Sequence, residues 1–259
     1  MRPIWTGAIG FGLVNIPVRL YSATEESNIP FISLDKHDHA RIRYKKVNEQ
    51  TGKEVAFHDI VKGYQMGKEI VIVDEEDIKK ATPEKYDHLA IIQFVKEQEI
   101  DARYYEKPYY LQPDKGGDRA YALLRDALKK EKKVALGPLV FHKREWICLV
   151  KPQDNVLVLH RLRFPEEVRN TTEINIPDAP IKDAEIKMAI SLIDQLTQPF
   201  NPKDFKDEFS EKLLKVIESK AKGKGATVKQ MKTTTSSTTI DLMESLKASL
   251  KNNSRKKSA

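Results

Sequence analysis

Three sets of residues in this chain have the types and spacing to do chemistry. Asp74-Glu75-Glu76-Asp77 is a run of four carboxylates, the kind of group that holds divalent cations in a nuclease. His37-x-His39 and His58, flanked by Asp38 and Asp59, offer imidazole and carboxylate ligands of the sort zinc takes. The third set is cationic: between Lys36 and Lys68, eight basic residues (Lys36, Arg41, Arg43, Lys45, Lys46, Lys53, Lys62, Lys68) stand against four acidic ones (Asp38, Glu49, Glu54, Asp59). Cations of this kind neutralise phosphates and release condensed counterions without reading bases.

The first two sets fall short of what their chemistry needs. Consecutive acids at a strand or helix start point in different directions, and no lysine-bearing catalytic motif accompanies them, so they are expected to head a helix and meet its positive end. The histidines lack a Cys pair or a second His pair to complete a tetrahedral site, so no metal is expected. Cys148 is the one cysteine; with Ile147 and Leu149 beside it, it is expected to be a buried thiol and can form no internal disulfide. Gly7, Gly10 and Gly12 follow the order Gly-x-x-Gly-x-Gly, the reverse of a dinucleotide fingerprint, and suit strand bending or close backbone approach. There is no phosphate-loop motif and no nucleophile beside a base, so neither an enzyme nor a cofactor is expected. Tyr104, Tyr105, Tyr109 and Tyr110 have the π-faces to stack on exposed bases, but packing within the fold and at an interface is the expectation.

The elements that must position these groups are mostly strands. Ile4 to Leu20 alternates, and Pro17 disfavours helix there. Ile70-Val71-Ile72-Val73 reads as a buried strand, with a helix-cap signal at Thr82-Pro83-Glu84. Ala90–Val95, Tyr109–Gln112, Val134–Phe141, Glu145–Val150 and Val156–Phe164 read as further strands, the last two joined by a turn at Pro152-Gln153-Asp154-Asn155. Arg119–Lys130 has helical spacing of Ala120, Leu123, Leu124, Ala127 and Leu128. At least six strands with few helices predict an α+β, mainly β protein built on a closed or nearly closed barrel. Ser22 to Lys68 has too few apolar residues for a core of its own. With Val47–Lys53 as a hairpin tip, it reads as an extended insertion that leaves the sheet and returns. Two helices follow, Ala184–Gln198 and Pro202 to about Lys222, the second expected to be capped by Asn201. After Gly223 comes a low-complexity basic tail, expected to be flexible, with a short amphipathic helix near 240–251.

Several spaced motifs resemble prokaryotic Ku: Pro3-Ile4-Trp5-Thr6-Gly7 through Gly12-Leu13-Val14-Asn15-Ile16-Pro17-Val18-Arg19-Leu20-Tyr21, Lys107-Pro108-Tyr109-Tyr110-Leu111, and Ala120-Tyr121-Ala122-Leu123-Leu124-Arg125. Val61-Lys62-Gly63-Tyr64, Leu162-Arg163-Phe164 and Glu166-Glu167-Val168-Arg169 extend the resemblance over roughly the first 220 residues. The resemblance implies a Ku-type β-barrel core over 1–200, whose insertion at about 22–68 bridges over to form a ring in a homodimer. It implies double-stranded DNA ends as the ligand and an ATP-dependent repair ligase as the partner of non-homologous end joining. The residues expected to face DNA are Arg19, Lys36, Arg41, Arg43, Lys45, Lys46, Lys53 and Lys62. A second, weaker contact is expected from Lys222, Lys224, Lys229, Arg255, Lys256 and Lys257. Phe209, Leu213, Leu214 and Ile217 in the 201–222 segment, with Leu242, Met243 and Leu246 in the 223–259 tail, are expected to dock a partner surface, either the body of the protein or the ligase.

Charge placement sharpens this expectation. Of 45 basic and 38 acidic residues, 14 basic and 7 acidic lie from Asn201 onward, so everything before it is balanced. A nucleic-acid surface on the body must therefore arise by segregating charge, and the alternative is a general nucleoid-type protein in which tail charge does the binding. No apolar run approaches the ~18–20 residues of a membrane-spanning helix, and no secretory signal opens the chain, so a cytoplasmic protein is expected, and the resemblance implies that it is nucleoid-associated.

Overall fold

The computed structural model describes residues 1–81, 88–142 and 144–223, together with Met243, Ser245, Leu246 and Ser249. The cap signal at Thr82-Pro83-Glu84 lies outside the described residues. Two compact units divide the chain, Met1–Thr171 and Thr172–Ala259.

The first unit is built on one eight-stranded sheet. β1 (Trp5–Phe11) and β2 (Val14–Ser22) form a hairpin in register from Phe11↔Val14 to Trp5↔Leu20, turned through Gly12 at φ 58°. Alternation along β2 buries Ile16, Val18 and Leu20 completely, as the period of two requires. β3 (Lys62–Met66) and β4 (Glu69–Val73) form a separate two-stranded sheet, followed by the short helix α1 (Glu75–Ala81). β5 (His88–Ala90), β6 (Gln93–Val95), β7 (Tyr105–Pro113), β8 (Val134–Phe141), β9 (Arg144–Gln153) and β10 (Val156–Leu162) complete the strands. The large sheet runs β5-β1-β2-β7-β10-β9-β8-β6; β5 is parallel to β1 and the other neighbours are antiparallel.

The sheet's two ends meet. β5 lies on one edge and β6 on the other, yet only Ile91 and Ile92 separate them. Ile91 N–H donates to Gly10 O of β1 and Ile92 N–H to Leu136 O of β8, each at 2.9 Å. The stretch expected as one strand over Ala90–Val95 is thus two three-residue strands, because the chain crosses from one edge to the other at its midpoint. Gly137 makes the crossing possible: a Cβ there would overlap the Ala90 carbonyl oxygen and lie 2.8 Å from its carbon. The result is a closed barrel.

α2 (Asp118–Glu131) packs Tyr121, Leu124 and Leu128 into the same core as Ile9, Leu111, Leu139 and Leu159. Tyr121 Oη donates to Leu111 O and accepts from Leu157 N–H, both at 2.6 Å. Leu111 and Leu157 are cross-strand partners of β7 and β10, so one hydroxyl satisfies both backbone groups where their ladder ends. The β9–β10 turn has Asp154 at φ 53°, and Arg125 donates to Asn155 O at 3.0 Å, tying α2 to it. Cys148 is buried as expected, and desolvation pushes its thiol up to about 12.

Two expectations are corrected. Ile70–Val73 is a strand but not a buried one: Ile70, Val71 and Ile72 are exposed, because β4 pairs only with β3. The helix expected from Pro202 begins later. Asn201 caps a 3-10 turn, Pro202–Asp204, and the second unit's α4 (Glu208–Ala221) is capped by Asp207, whose carboxylate accepts from Ser210 N–H at 3.0 Å. α3 (Asp183–Leu196) is close to its expected span and belongs to the same second unit. Within 240–251, Met243, Ser245, Leu246 and Ser249 are helical.

Barrel closure yields a prediction. Gly137→Ala forces a backbone displacement at the seam and should cost at least ~3 kcal/mol. Gly12→Ala meets nothing within 4 Å and should cost only the ~1 kcal/mol of a left-handed residue. Denaturant unfolding of the two variants checks this; equal losses would show that the seam is not a tight point.

Candidate nucleic-acid interface

The basic segment between β2 and β5 is assembled from small local devices. Leu34 and Arg41 form an isolated antiparallel bridge around a turn in which Asp35 accepts from His37 N–H at 2.7 Å and Asp38 from Ala40 N–H at 2.8 Å. His39 sits at φ 57° within it. His37, Asp38 and His39 of the set that suggested metal ligands are thus organised as a turn, with the Asp38 carboxylate engaged by backbone, while His58 and Asp59 lie in the separate 3-10 turn Phe57–Asp59, His58 Nε2 3.5 Å from Asp59 Oδ1. Val47 and Glu54 make a second bridge, closed by Asn48 N–H to Lys53 O at 2.9 Å, with Asn48 Oδ1 accepting from Gln50 and Thr51 and Gly52 at φ 65°. The predicted hairpin tip is there.

From Thr24 through Ile72 every residue is exposed except Ile29 and Val55, which are intermediate. Lys36, Arg41, Arg43, Lys53 and Lys62 make no ion pair among the described residues, whereas Lys45 Nζ lies 2.6 Å from Glu54 Oε2 and Lys46 stands 5.0 Å from the centroid of the Phe57 ring. Large apolar side chains are interleaved with these cations: Phe31, Ile32, Ile42, Tyr44 and Phe57 are all at least half exposed. β3 and β4 add Tyr64, Met66, Ile70 and Ile72. A segment with this pattern serves something other than its own core.

Arg19 differs from the other expected cations. It lies on β2 inside the barrel unit, with Nε and Nη2 donating to Asp114 Oδ2 and Oδ1 at 3.1 and 2.8 Å. The Asp114 carboxyl is held below its ordinary range, first by Lys115 N–H and then by Arg19, and Arg19 is raised by the same pair. Its charge is shared with a carboxylate that fixes the end of β7 against β2.

The acids Glu75, Glu76 and Asp77 occupy the first turn of α1, where Asp74 Oδ1 accepts from Asp77 N–H at 2.8 Å and Asp77 Oδ2 from Asp74 N–H at 3.2 Å. Tyr109 is buried and stacks on Trp146, and Tyr105 meets the His160 ring edge-on at 5.1 Å. Arg163, within the motif Leu162-Arg163-Phe164, donates to the carbonyls of Tyr105 at 2.6 Å and Arg103 at 3.2 Å. In the second unit, Phe209, Leu214 and Ile217 are exposed along α4, Leu213 is half-buried beside them, and Lys222 follows the helix end. Met243 and Leu246 are half-buried. Leu242, Lys224, Lys229, Arg255, Lys256 and Lys257 lie outside the described residues.

Sequence reasoning missed two features. Tyr121 as a ladder-capping hydroxyl leaves no mark beyond its helical position, and the seam at Ile91-Ile92 was signalled only by the glycine inside the strand-like run Val134–Phe141.

Comparison with known proteins adds a family. Residues 10–188 match the family model described as the Ku70/Ku80 beta-barrel domain. The chain is 38% identical to the non-homologous end joining protein Ku of Coxiella burnetii, covering 99% of this chain and 96% of that protein. It is 39% identical to the protein of the same name from Pseudomonas aeruginosa, over 96% of this chain and 88% of that one. The corresponding Solibacter usitatus protein is 40% identical, over 96% and 92%.

Arg19 and Asp114 both lie in the matched span and give a pH prediction. A carboxyl whose folded pKa is depressed contributes stability above its unfolded value and loses it as pH falls toward the folded one. Asp114→Asn should therefore melt lower than wild type near neutrality, with the gap closing as pH drops below the ordinary carboxylate range. Thermal melts across that range test it; a gap that persists in acid would assign the loss to packing.

Proposed function

This chain belongs to the Ku family of non-homologous end joining proteins, and on that footing we propose that it binds double-stranded DNA ends without reading sequence. It acts as a scaffold and not as an enzyme. Two copies related by twofold symmetry close a ring through their excursions at about 22–68, and the ring threads onto a duplex from its free end. Once threaded, it cannot leave sideways. Weak phosphate contacts then suffice for retention, because the topology supplies what base contacts would otherwise provide. Held at the ends, the protein shields and bridges them at the nucleoid, within the cytoplasm.

The observation that carries this reading is the composition of one exposed segment. Arg41 and Arg43 stand without an ion pair among the described residues, and Phe31, Ile32, Ile42 and Tyr44 stand exposed beside them. Unpaired cations suit phosphate, and clustered exposed apolar side chains suit a second protein chain. A dimeric ring around DNA satisfies both at once. Lys36, Lys45, Lys46, Lys53 and Lys62 supply further charge to the same surface, Lys45 after exchanging Glu54 for a phosphate. Arg19, already bidentate to Asp114, is assigned to the barrel.

In the second unit, the α4 face with exposed Phe209, Leu214 and Ile217 and half-buried Leu213, together with Leu242, Met243 and Leu246 later in the sequence, docks the repair ligase and stimulates joining. Lys222, Lys224, Lys229 and the Arg255-Lys256-Lys257 end give a second, salt-sensitive DNA contact. After Gly223 the sequence holds eight basic residues and two acidic ones.

Three measurements test these assignments. Linear duplex should capture the protein, and sealing the bound DNA into a circle should trap it. Equal affinity for covalently closed circles and linear fragments would sink the ring. Arg41→Glu, Arg43→Glu and Lys45→Glu together should abolish loading while the dimer stays folded. Milder neutralisation should lower the magnitude of the log K versus log[salt] slope by about 0.9 per lost contact, whatever the DNA sequence; an unchanged slope would move the contact surface elsewhere. Truncation after Gly225 should leave threading intact and reduce total affinity most at low salt, and truncation after Pro199 should also remove ligase stimulation. A threading defect from the shorter truncation would place the tail in the ring itself.

A further inference from the structure

Away from the excursion, two clefts on the barrel unit share a wall. The smaller, about 220 Å³, is an apolar slot lined by Phe11, Phe94, Leu124, Ala127 and Leu128. That volume is below the ~300 Å³ at which small-molecule pockets begin, so it accepts a single large side chain. The larger, about 700 Å³, is ringed by Lys96, Lys129, Lys132, Lys133 and Lys151. Leu128, Glu131 and Lys133 line both, so slot and bowl are continuous.

The bowl is strongly cationic after its internal pairing is subtracted. Lys151 is tied to Glu97 at 2.5 Å, which leaves Lys96, Lys129, Lys132 and Lys133 facing Glu131 alone among the described lining residues. The dipole of α2 accounts for Lys129 in its last turn but not for Lys96, ahead of the 3-10 turn Glu97–Glu99, nor for Lys151 on β9. Three separate parts of the fold converge here. Lys132 ends α2 in the left-handed region at φ 52°, where glycine is the unstrained choice, and so holds a cation at the rim.

We infer that this composite cleft is a docking site for an acidic peptide segment of a partner protein, with one aromatic anchor in the slot and the following carboxylates in the lysine bowl. The occupant follows from complementarity. An apolar slot flanked by exposed Phe11 and Phe94, whose rings meet edge to face at 5.7 Å, takes a ring. The cations next to it take the carboxylates that come after. Free polyphosphate uses the bowl and leaves the slot empty, and a DNA backbone does the same. This site is separate from the excursion proposed to hold DNA, so either assignment can fail without the other.

The test uses the full-length protein and a fluorescent synthetic peptide bearing one phenylalanine followed by a run of glutamates, read by anisotropy at low ionic strength. Saturable binding is expected, weakened at least about tenfold by replacing the phenylalanine with glycine or the glutamates with glutamine. Ala127→Gln, which fills the slot from an exposed helix position, and Lys132→Glu with Lys133→Glu should each weaken it comparably while trapping on circularised DNA is retained. The inference is overturned by the absence of saturable binding, by equal binding of the peptide lacking its phenylalanine, or by displacement with inorganic tripolyphosphate as effective as with unlabelled peptide. Stoichiometric displacement by a short duplex overturns it too, since the lysines would then belong to the DNA surface.

Discussion

The structure depends on a crossing made by two residues. Ile91 and Ile92 carry the chain from the β1 edge of the sheet to the β8 edge, each donating one backbone hydrogen bond, and Gly137 clears the space they pass through. Without that crossing the sheet has two short, exposed edges, and edges left open are templates for unwanted pairing. With it, the interior closes around Ile9, Leu20, Leu89, Leu111, Leu139 and Leu159, each fully or almost fully buried and each contributing ~1.5–3 kcal/mol. The same seam anchors the excursion. The chain leaves the barrel at the end of β2 and returns at β5, the strand that begins the crossing. A fixed departure and a fixed return let the segment between them stay exposed without loosening the barrel.

Because no fully buried side chain lies between Thr24 and Ile72, the excursion is free of the demands of the core. Arg41 and Arg43, without an ion pair among the described residues, would be costly inside a protein, where an uncompensated charge loses its hydration. On an exposed segment they cost little. The barrel supplies stability and the excursion supplies charge, and the two requirements do not compete for the same residues. Where they do meet, at Arg19, the barrel prevails: a bidentate carboxylate at 2.8 and 3.1 Å engages the guanidinium that could otherwise face a phosphate.

Much of this was legible in the sequence, for identifiable reasons. The strand Val134–Phe141 has the bounds its apolar pattern gives, and α2 lies within one residue of its periodicity at each end. The hairpin tip at Val47–Lys53 follows from Asn48 and Gly52, whose side-chain acceptor and left-handed backbone are local properties. What failed was anything that depends on a distant neighbour. The apolar run Ile70–Val73 reports that a surface wants cover but not whether the cover lies in the same chain, so the sequence predicts burial where Ile70, Val71 and Ile72 are exposed. Asn201-Pro202 carries a sound cap signal, yet a 3-10 turn uses it and Asp207 starts the helix. Residue types picked out the cations of the candidate interface; only geometry separated Lys45, paired with Glu54, from Arg41 and Arg43.

The motifs that identify the family are, by their contacts, largely motifs of barrel construction. Tyr121 caps the β7–β10 ladder, Arg125 holds the β9–β10 turn, Arg163 satisfies two carbonyls, and Glu167 accepts from Phe164 N–H at 2.8 Å. Each needs a particular side chain at a particular backbone group, so each demands one residue type at one position. Phosphate contact makes no such demand. Any lysine or arginine whose charge reaches the backbone contributes nearly the same counterion release, and its neighbour can substitute for it. The residues that make such a fold recognisable are therefore those tied to single backbone groups of the barrel, whereas a cationic surface can be rebuilt from any lysine or arginine that reaches it and leaves no fixed motif behind.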